Sequence, residues 1–293
     1  MVALITLWAL PAHAGQGTAL LKYVPDDVDL VVGFNVAKSR STPLFRKSLE
    51  VLKAEAAEVW KTFASVQFDP AKDLDTVLVA GHLPDGKGDS TFVVVFEGRL
   101  GALGSVLAPS EAHSGLPVHL EQDVAALLID KRLVFCSVSL LDDVVATVKG
   151  KRPSARTSRR AKVLRAGLAA MEPRVDLWLV LSGKVFKEQL PVQGKVEWVG
   201  MTAATSKGVA IELRAGVDSE PAAAEISTWF GNQLGTVKSL LAAQGFESMA
   251  DSFEVKNTGA TIGVSALMSE GEVARALTLV SRQATAEAGS KSP

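Results

Sequence analysis

The sequence predicts an α+β fold: antiparallel sheets with helices on one face, arranged as two structurally similar halves. Three observations carry this. Short apolar runs recur between Pro- and Gly-containing turns, as strands do. Many of these runs are separated by only a few residues, which implies hairpins and so antiparallel pairing. The order of elements then repeats within the chain, the pattern of an internal duplication.

The repeat is anchored by two strands. Asp29-Leu30-Val31-Val32-Gly33-Phe34-Asn35 follows Pro25-Asp26-Asp27-Val28, and Asp176-Leu177-Trp178-Leu179-Val180-Leu181-Ser182 follows Glu172-Pro173-Arg174-Val175. The offset is 147 residues. After the first strand, Ser41-Thr42-Pro43 starts a helix, with Pro in its first turn. Leu44, Phe45, Leu49, Leu52, Ala56, Val59, Trp60 and Phe63 give that helix an apolar face at i, i+3, i+4 spacing. Strands follow at Thr76–His82 and Thr91–Glu97, around Pro84-Asp85-Gly86-Lys87-Gly88. A short helix is expected at Leu100–Leu107, and strands near Val118–Glu121, Val124–Ile129 and Leu133–Val138. Leu140–Val148 closes the first half as a helix.

In the second half Val185–Leu190 reads as a short helix, and Val196–Ala204 with Val209–Val217 as a hairpin. Ala222–Ala243 is a long helix with Ile226, Trp229, Phe230, Leu234, Val237, Leu240 and Leu241 on one broad face. Its Gly231 and Gly235 suit close packing in a core, and a groove or dimer face is the other reading of this helix. Phe253–Asn257 and Thr261–Leu267 form another hairpin, and Glu270–Arg282 a last helix. The resulting organisation is a signal peptide at 1–14, a first half at 15–148, a basic connector and helix start at 149–165, a second half at 166–283 and a disordered tail at 284–293.

The N-terminus supports export. Val2–Leu10 is apolar apart from Thr6, and Ala12-His13-Ala14 precedes Gly15. An apolar run of that length ending in A-x-A is a secretory signal, too short to span a membrane. Cleavage is expected near Ala14, leaving a periplasmic or secreted chain without a transmembrane segment. The one Cys, Cys136, lies in a strand pattern and reads as a small core residue, so no disulfide framework is expected.

Composition excludes some function classes and highlights one segment. The chain carries 31 Lys+Arg against 32 Asp+Glu, a formal net charge of −1, and 47% of its residues are hydrophobic. That balance argues against a nucleic-acid binder. The charge is uneven, because Lys149, Lys151, Arg152, Arg156, Arg159, Arg160, Lys162 and Arg165 fall in one stretch with no acidic residue. This stretch is a solvated connector that could contact an anionic surface.

Reactive constellations are sparse. His82, His113 and His119 form no zinc-ligand spacing, and no phosphate-loop or hydrolase-elbow motif occurs. Gly88-Asp89-Ser90 reads as a turn. The carboxylates Asp26/Asp27/Asp29, Asp69/Asp73/Asp75 and Asp142/Asp143 lack calcium-loop spacing. No catalytic residue, cofactor or metal is therefore assigned. The leading expectation is a non-enzymatic binding protein or structural partner of the cell envelope. A hydrolase using carboxylates brought together by folding is the alternative, and association with an anionic surface through 149–165 is another.

Tyr23-Val24-Pro25-Asp26-Asp27-Val28-Asp29-Leu30-Val31-Val32-Gly33-Phe34-Asn35-Val36, followed by Ser41-Thr42-Pro43-Leu44-Phe45, resembles the opening of uncharacterised exported bacterial α+β proteins. Phe68-Asp69-Pro70 with Asp73-Leu74-Asp75 fits the same pattern. The resemblance covers the first third of the chain. It implies export and an α+β fold, and brings no activity and no catalytic residues.

Overall fold

A computed structural model describes residues 16–278 apart from 56, 84–89, 106, 172–174, 187–193, 206–207 and 277. The expected signal segment, the tail, the turn at 84–88 and most of the short helix at 185–190 lie outside the described residues. The described residues begin with a 3₁₀ segment, Gln16–Tyr23. The strands are β1 (Leu30–Asn35), β2 (Leu74–His82), β3 (Thr91–Gly98), β4 (Glu111–His113), β5 (Leu116–Glu121), β6 (Val124–Ile129), β7 (Arg132–Ser137), β8 (Leu177–Ser182), β9 (Val196–Ala204), β10 (Val209–Val217), β11 (Glu254–Thr258) and β12 (Thr261–Met268). The helices are α1 (Val36–Ser39), α2 (Pro43–Glu55), α3 (Ala57–Ser65), α4 (Pro70–Asp73), α5 (Leu141–Val148), α6 (Lys162–Ala170), α7 (Glu220–Ala243) and α8 (Glu247–Ser252). Residues 270–276 are again helical.

All twelve strands form one antiparallel sheet, in the order β11-β12-β10-β9-β8-β1-β2-β3-β7-β6-β5-β4. β1 and β8, the two strands on which the expected repeat rests, pair with each other at the middle of the sheet. Leu30 pairs with Leu181, Val32 with Leu179 and Phe34 with Leu177. Val32 therefore faces the residue 147 positions further on, and the register is reciprocal about that point, as in a twofold interface. Two backbone bonds close the joint symmetrically: Asn35 N–H to Asp176 O at 2.8 Å and Ser182 N–H to Asp29 O at 2.7 Å. Moving outward, each side runs first through a three-strand meander; on the first side a four-strand meander β4–β7 follows, its last strand paired with β3, and on the second the hairpin β11–β12, its second strand paired with β10. β4 is an addition the sequence did not announce. It is short, polar and at the edge, and it turns through Ser114 and Gly115, both at positive φ.

The main core lies on one face of the sheet. There Leu20, Tyr23 and Val24 of the 3₁₀ segment and its exit, Val144 of α5 and Leu164 and Leu168 of α6 cover Val31, Leu78, Val93, Val95, Val134, Trp178, Val180 and Trp198. Two tryptophans lie over glycines on neighbouring strands. A Cβ on Gly33 would stand 2.2 Å from Trp178 Cε2, and one on Gly216 would stand 2.1 Å from Trp198 Nε1. Only a bare backbone leaves room for either indole. Cys136 is buried in this core, where desolvation pushes its thiol up to about 12.

Helices also reach the opposite face. Phe45 of α2 stacks on Phe34 with ring centroids 6.0 Å apart, and Leu44 packs with Leu177 and Ile211. Ala222, Ala223 and Ile226 of α7 pack on Val196, Val217 and Ile262. Ser219 caps α7, its hydroxyl accepting the Ala222 N–H at 3.3 Å, and Pro221 sits in the first turn. Beyond Ile226 the helix is only lightly covered. Leu240 is 58% exposed, and nothing lies within 4 Å of a Cβ at Gly231 or Gly235. Those glycines do not serve close packing, contrary to the core-helix expectation.

The second half is tied at its end by Glu272. Its buried carboxylate accepts N–H bonds from Ser248 (2.7 Å), Met249 (3.3 Å) and Ser269 (2.7 Å), and the Ser269 hydroxyl at 2.8 Å. Burial alone would raise its pKa, but these bonds outweigh it and hold it below the ordinary value. A lowered folded pKa contributes stability above the unfolded value, which is lost as pH falls through the folded one. Glu272→Gln should cost about 1–3 kcal/mol at pH 7 in urea unfolding. The difference from wild type should shrink below about pH 4, and a gap constant with pH would contradict this role.

Candidate functional site

The face opposite the main core carries an uninterrupted apolar row. Pairing registers align Val255, Val264, Leu213, Met201, Leu179, Val32, Val79, Val94, Phe135 and Ala126 across ten successive strands. Five come from each side of the β1–β8 joint. Ala126 is buried, Leu213 is 40% exposed and the others are half-buried. With strands about 4.8 Å apart, nine gaps make the row about 43 Å long.

Its borders differ. The parallel row through Phe34 and Leu177 is covered by Phe45 and Leu44 of α2. At the Val255 end, the first turns of α7 pack against Val255 and Val199. At the other end Phe135 and Ala126 pack with Phe63, Phe68 and Leu100; between these covered ends Val264, Leu213, Met201, Leu179, Val32, Val79 and Val94 form a narrow apolar strip with no charged side chain in it. The strip is thus a continuous line of incompletely buried apolar side chains, of which Leu213 is the most exposed.

The basic stretch lies on another part of the molecule and is not a loose connector. Ser154 bridges to Pro25, Ala155 N–H donates to Val24 O at 2.9 Å, and the Ser158 hydroxyl donates to Asp26 at 2.5 Å. The eight cations separate by role. Arg152 reaches Asp27 at 2.8 Å and Asp26 at 3.4 Å, and also pairs with Asp143. Lys149 donates to the carbonyl of Ser114. Arg165 is half-buried, whereas Lys151, Arg156, Arg159, Arg160 and Lys162 are exposed. Burial alone would raise the pKa of Asp26; the Ser158 hydrogen bond and the Arg152 charge outweigh it and hold the carboxyl below its ordinary value.

The other singled-out residues have structural partners. Asp69 caps α4 through the Ala71 N–H at 3.0 Å, Asp73 accepts the Asp69 N–H at 2.7 Å and pairs with Arg99, and Asp75 pairs with Arg40. Asp142 meets His113 at 2.7 Å. His82 lies 3.4 Å from Asp29 and 3.9 Å from Asp27, and His119 contacts the Ala108 carbonyl at 2.9 Å. Among the described residues no group of three or more His, Cys, Asp and Glu could hold a metal, and no helix is long and apolar enough to cross a membrane. Each residue of the strip is visible in the sequence as apolar, but their alignment depends on strand registers that no local pattern sets.

No protein-family model and no curated protein sequence matches the chain. Among solved structures, crystal form III of TP0453, a Treponema protein, is similar over 87% of this chain and 96% of that one, with 10% identity and a TM-score of 0.51. Crystal form I of the same protein covers 89% of this chain and 96% of its own, at 11% identity and a TM-score of 0.45. The similarity of form III, extending over most of both chains, is one of fold: α+β with a large antiparallel sheet.

Proposed function

We propose that this is an exported, non-enzymatic binding protein whose binding surface is the apolar strip. The occupant is an elongated apolar ligand. One observation carries this: ten aligned apolar residues, nearly all incompletely buried, on the face of the sheet opposite the main core. The strip is long and is hemmed in by α2 and α7, which suits a linear chain better than a globular partner. Export rests on Val2–Leu10 and Ala12-His13-Ala14. The matched strand order about β1 and β8 supports reading the chain as an internal duplication, with the strip crossing the joint.

The test is titration with an uncharged naphthylamine fluorophore that brightens in apolar surroundings. Wild-type protein should enhance its emission saturably. Leu213→Glu and Met201→Glu should each weaken binding about tenfold or more, since about 1.4 kcal/mol of lost burial suffices. Leu267→Glu, exposed on the opposite face of the sheet, should bind as wild type. An unresponsive wild type, or a Leu213→Glu protein that binds normally, would reject the strip.

A further inference from the structure

Two hollows lie along the basic stretch and share Arg152, Pro153 and Thr157. One, of about 590 Å³, is lined by Lys22, Asp130, Thr147, Lys151 and Ser154 among others. The other, of about 510 Å³, is lined by Ser158, Arg159 and Arg160. Sharing these residues, they adjoin each other along the basic stretch and are treated together as its cleft.

The charges in this cleft are unequal in availability. Lys22 is offset by Asp130 at 3.6 Å, and Arg152 is committed to three carboxylates. Lys151, Arg159 and Arg160 are exposed and have no acidic partner among the described residues. They stand on backbone already fixed at Ser154, Ala155 and Ser158, and the Arg160 N–H is itself held by the Ser158 hydroxyl at 3.1 Å. Fixing the backbone beforehand reduces the ordering cost of binding.

We propose that this cleft binds a linear, polar polyanion bearing phosphate, sulfate or carboxylate groups. The guanidinium forks of Arg159 and Arg160 and the Lys151 ammonium suit such oxygens. None of the exposed large hydrophobic residues lies within 149–165, so the wedge that anchors a protein in a lipid surface is missing from this stretch. Tyr23, the aromatic ring that lines the cleft, is buried, so it offers no platform for stacked bases. This site is separate from the apolar strip and does not depend on it.

The experiment measures binding of the full chain to linear polyphosphate, a sulfated polysaccharide, a polyuronate and inorganic phosphate, and to vesicles containing anionic phospholipid. At least one soluble polymer should bind at low salt, with affinity falling steeply as salt rises. Inorganic phosphate at equal charge concentration should not, and the order among the polymers identifies the preferred anionic group. The triple change Lys151→Gln, Arg159→Gln and Arg160→Gln should weaken polymer binding about tenfold or more, with thermal stability retained. Arg46→Gln, Lys47→Gln and Lys53→Gln on α2 make the same charge change elsewhere and should leave binding close to wild type. The proposal is overturned if no soluble polymer binds, if only the vesicles bind, if the cleft variant binds as wild type, or if the α2 variant loses as much.

Discussion

Trp178→Ala should lower the unfolding free energy by about 3–5 kcal/mol, among the largest losses available to a single substitution here. The indole is 2% exposed and lies between strand and helix layers, against Gly33 on β1 and Gly17 in the 3₁₀ segment. Its removal opens a cavity beside the strand pair that joins the two halves. Gly33→Ala should also be costly, by about 1–3 kcal/mol, because the new methyl would stand where the ring now lies. The two changes should not add. With the ring gone, the methyl at position 33 enters vacated space, so the double variant should be about as stable as Trp178→Ala alone or more so. Guanidinium unfolding of the four proteins measures this cycle. Additive losses would show that Gly33 is required for another reason.

That contact illustrates where sequence reasoning ends. The α+β character, most strands and the starts of α2 and α7 follow from local patterns, because caps, turns and periodicity act within a few residues. The single sheet does not. Leu30–Phe34 and Leu177–Leu181 are each recognisable as buried strands, yet nothing within either says that it pairs with the other. The apolar row has the same origin: a strand pattern tells which residues share a face, while the line across strands depends on every turn between them. Gly231 and Gly235 show the converse error. Small residues on a helix suggest close packing, but packing needs a neighbour, and neither glycine of α7 faces one. The basic stretch was legible as composition, and what composition missed is that its members do different work. Arg152 finds its acidic partners at Asp26 and Asp27, far away in sequence. A cation count treats it like Arg159, which faces solvent.

Arg152→Met should therefore cost stability rather than only binding. Arg152 is 21% exposed and Asp26 only 4%, and the guanidinium meets Asp26, Asp27 and Asp143 from separate segments. Removing it leaves a buried carboxylate with the Ser158 hydroxyl as its remaining side-chain partner and two more carboxylates close by. Losing one partner of a buried pair costs about 3–5 kcal/mol. Because Asp27 and Asp143 are partly exposed, about 3 kcal/mol is expected at pH 7. Arg152→Lys should recover only part of this, since one ammonium cannot span three acceptors with a fixed fork. The pH dependence follows from Asp26. Its folded pKa is held down in part by Arg152, so the stabilisation is complete above the unfolded value of about 3.9 and is lost as pH falls through the folded one. Wild type and Arg152→Met should thus differ most near neutrality and converge in acid, where the carboxylates are protonated and need no cation. Urea unfolding from pH 7 to pH 3 reads both the gap and its closure. A gap that persisted undiminished into acid would mean that Arg152 acts through packing of its aliphatic stem, and that Asp26 is stabilised by Ser158 alone.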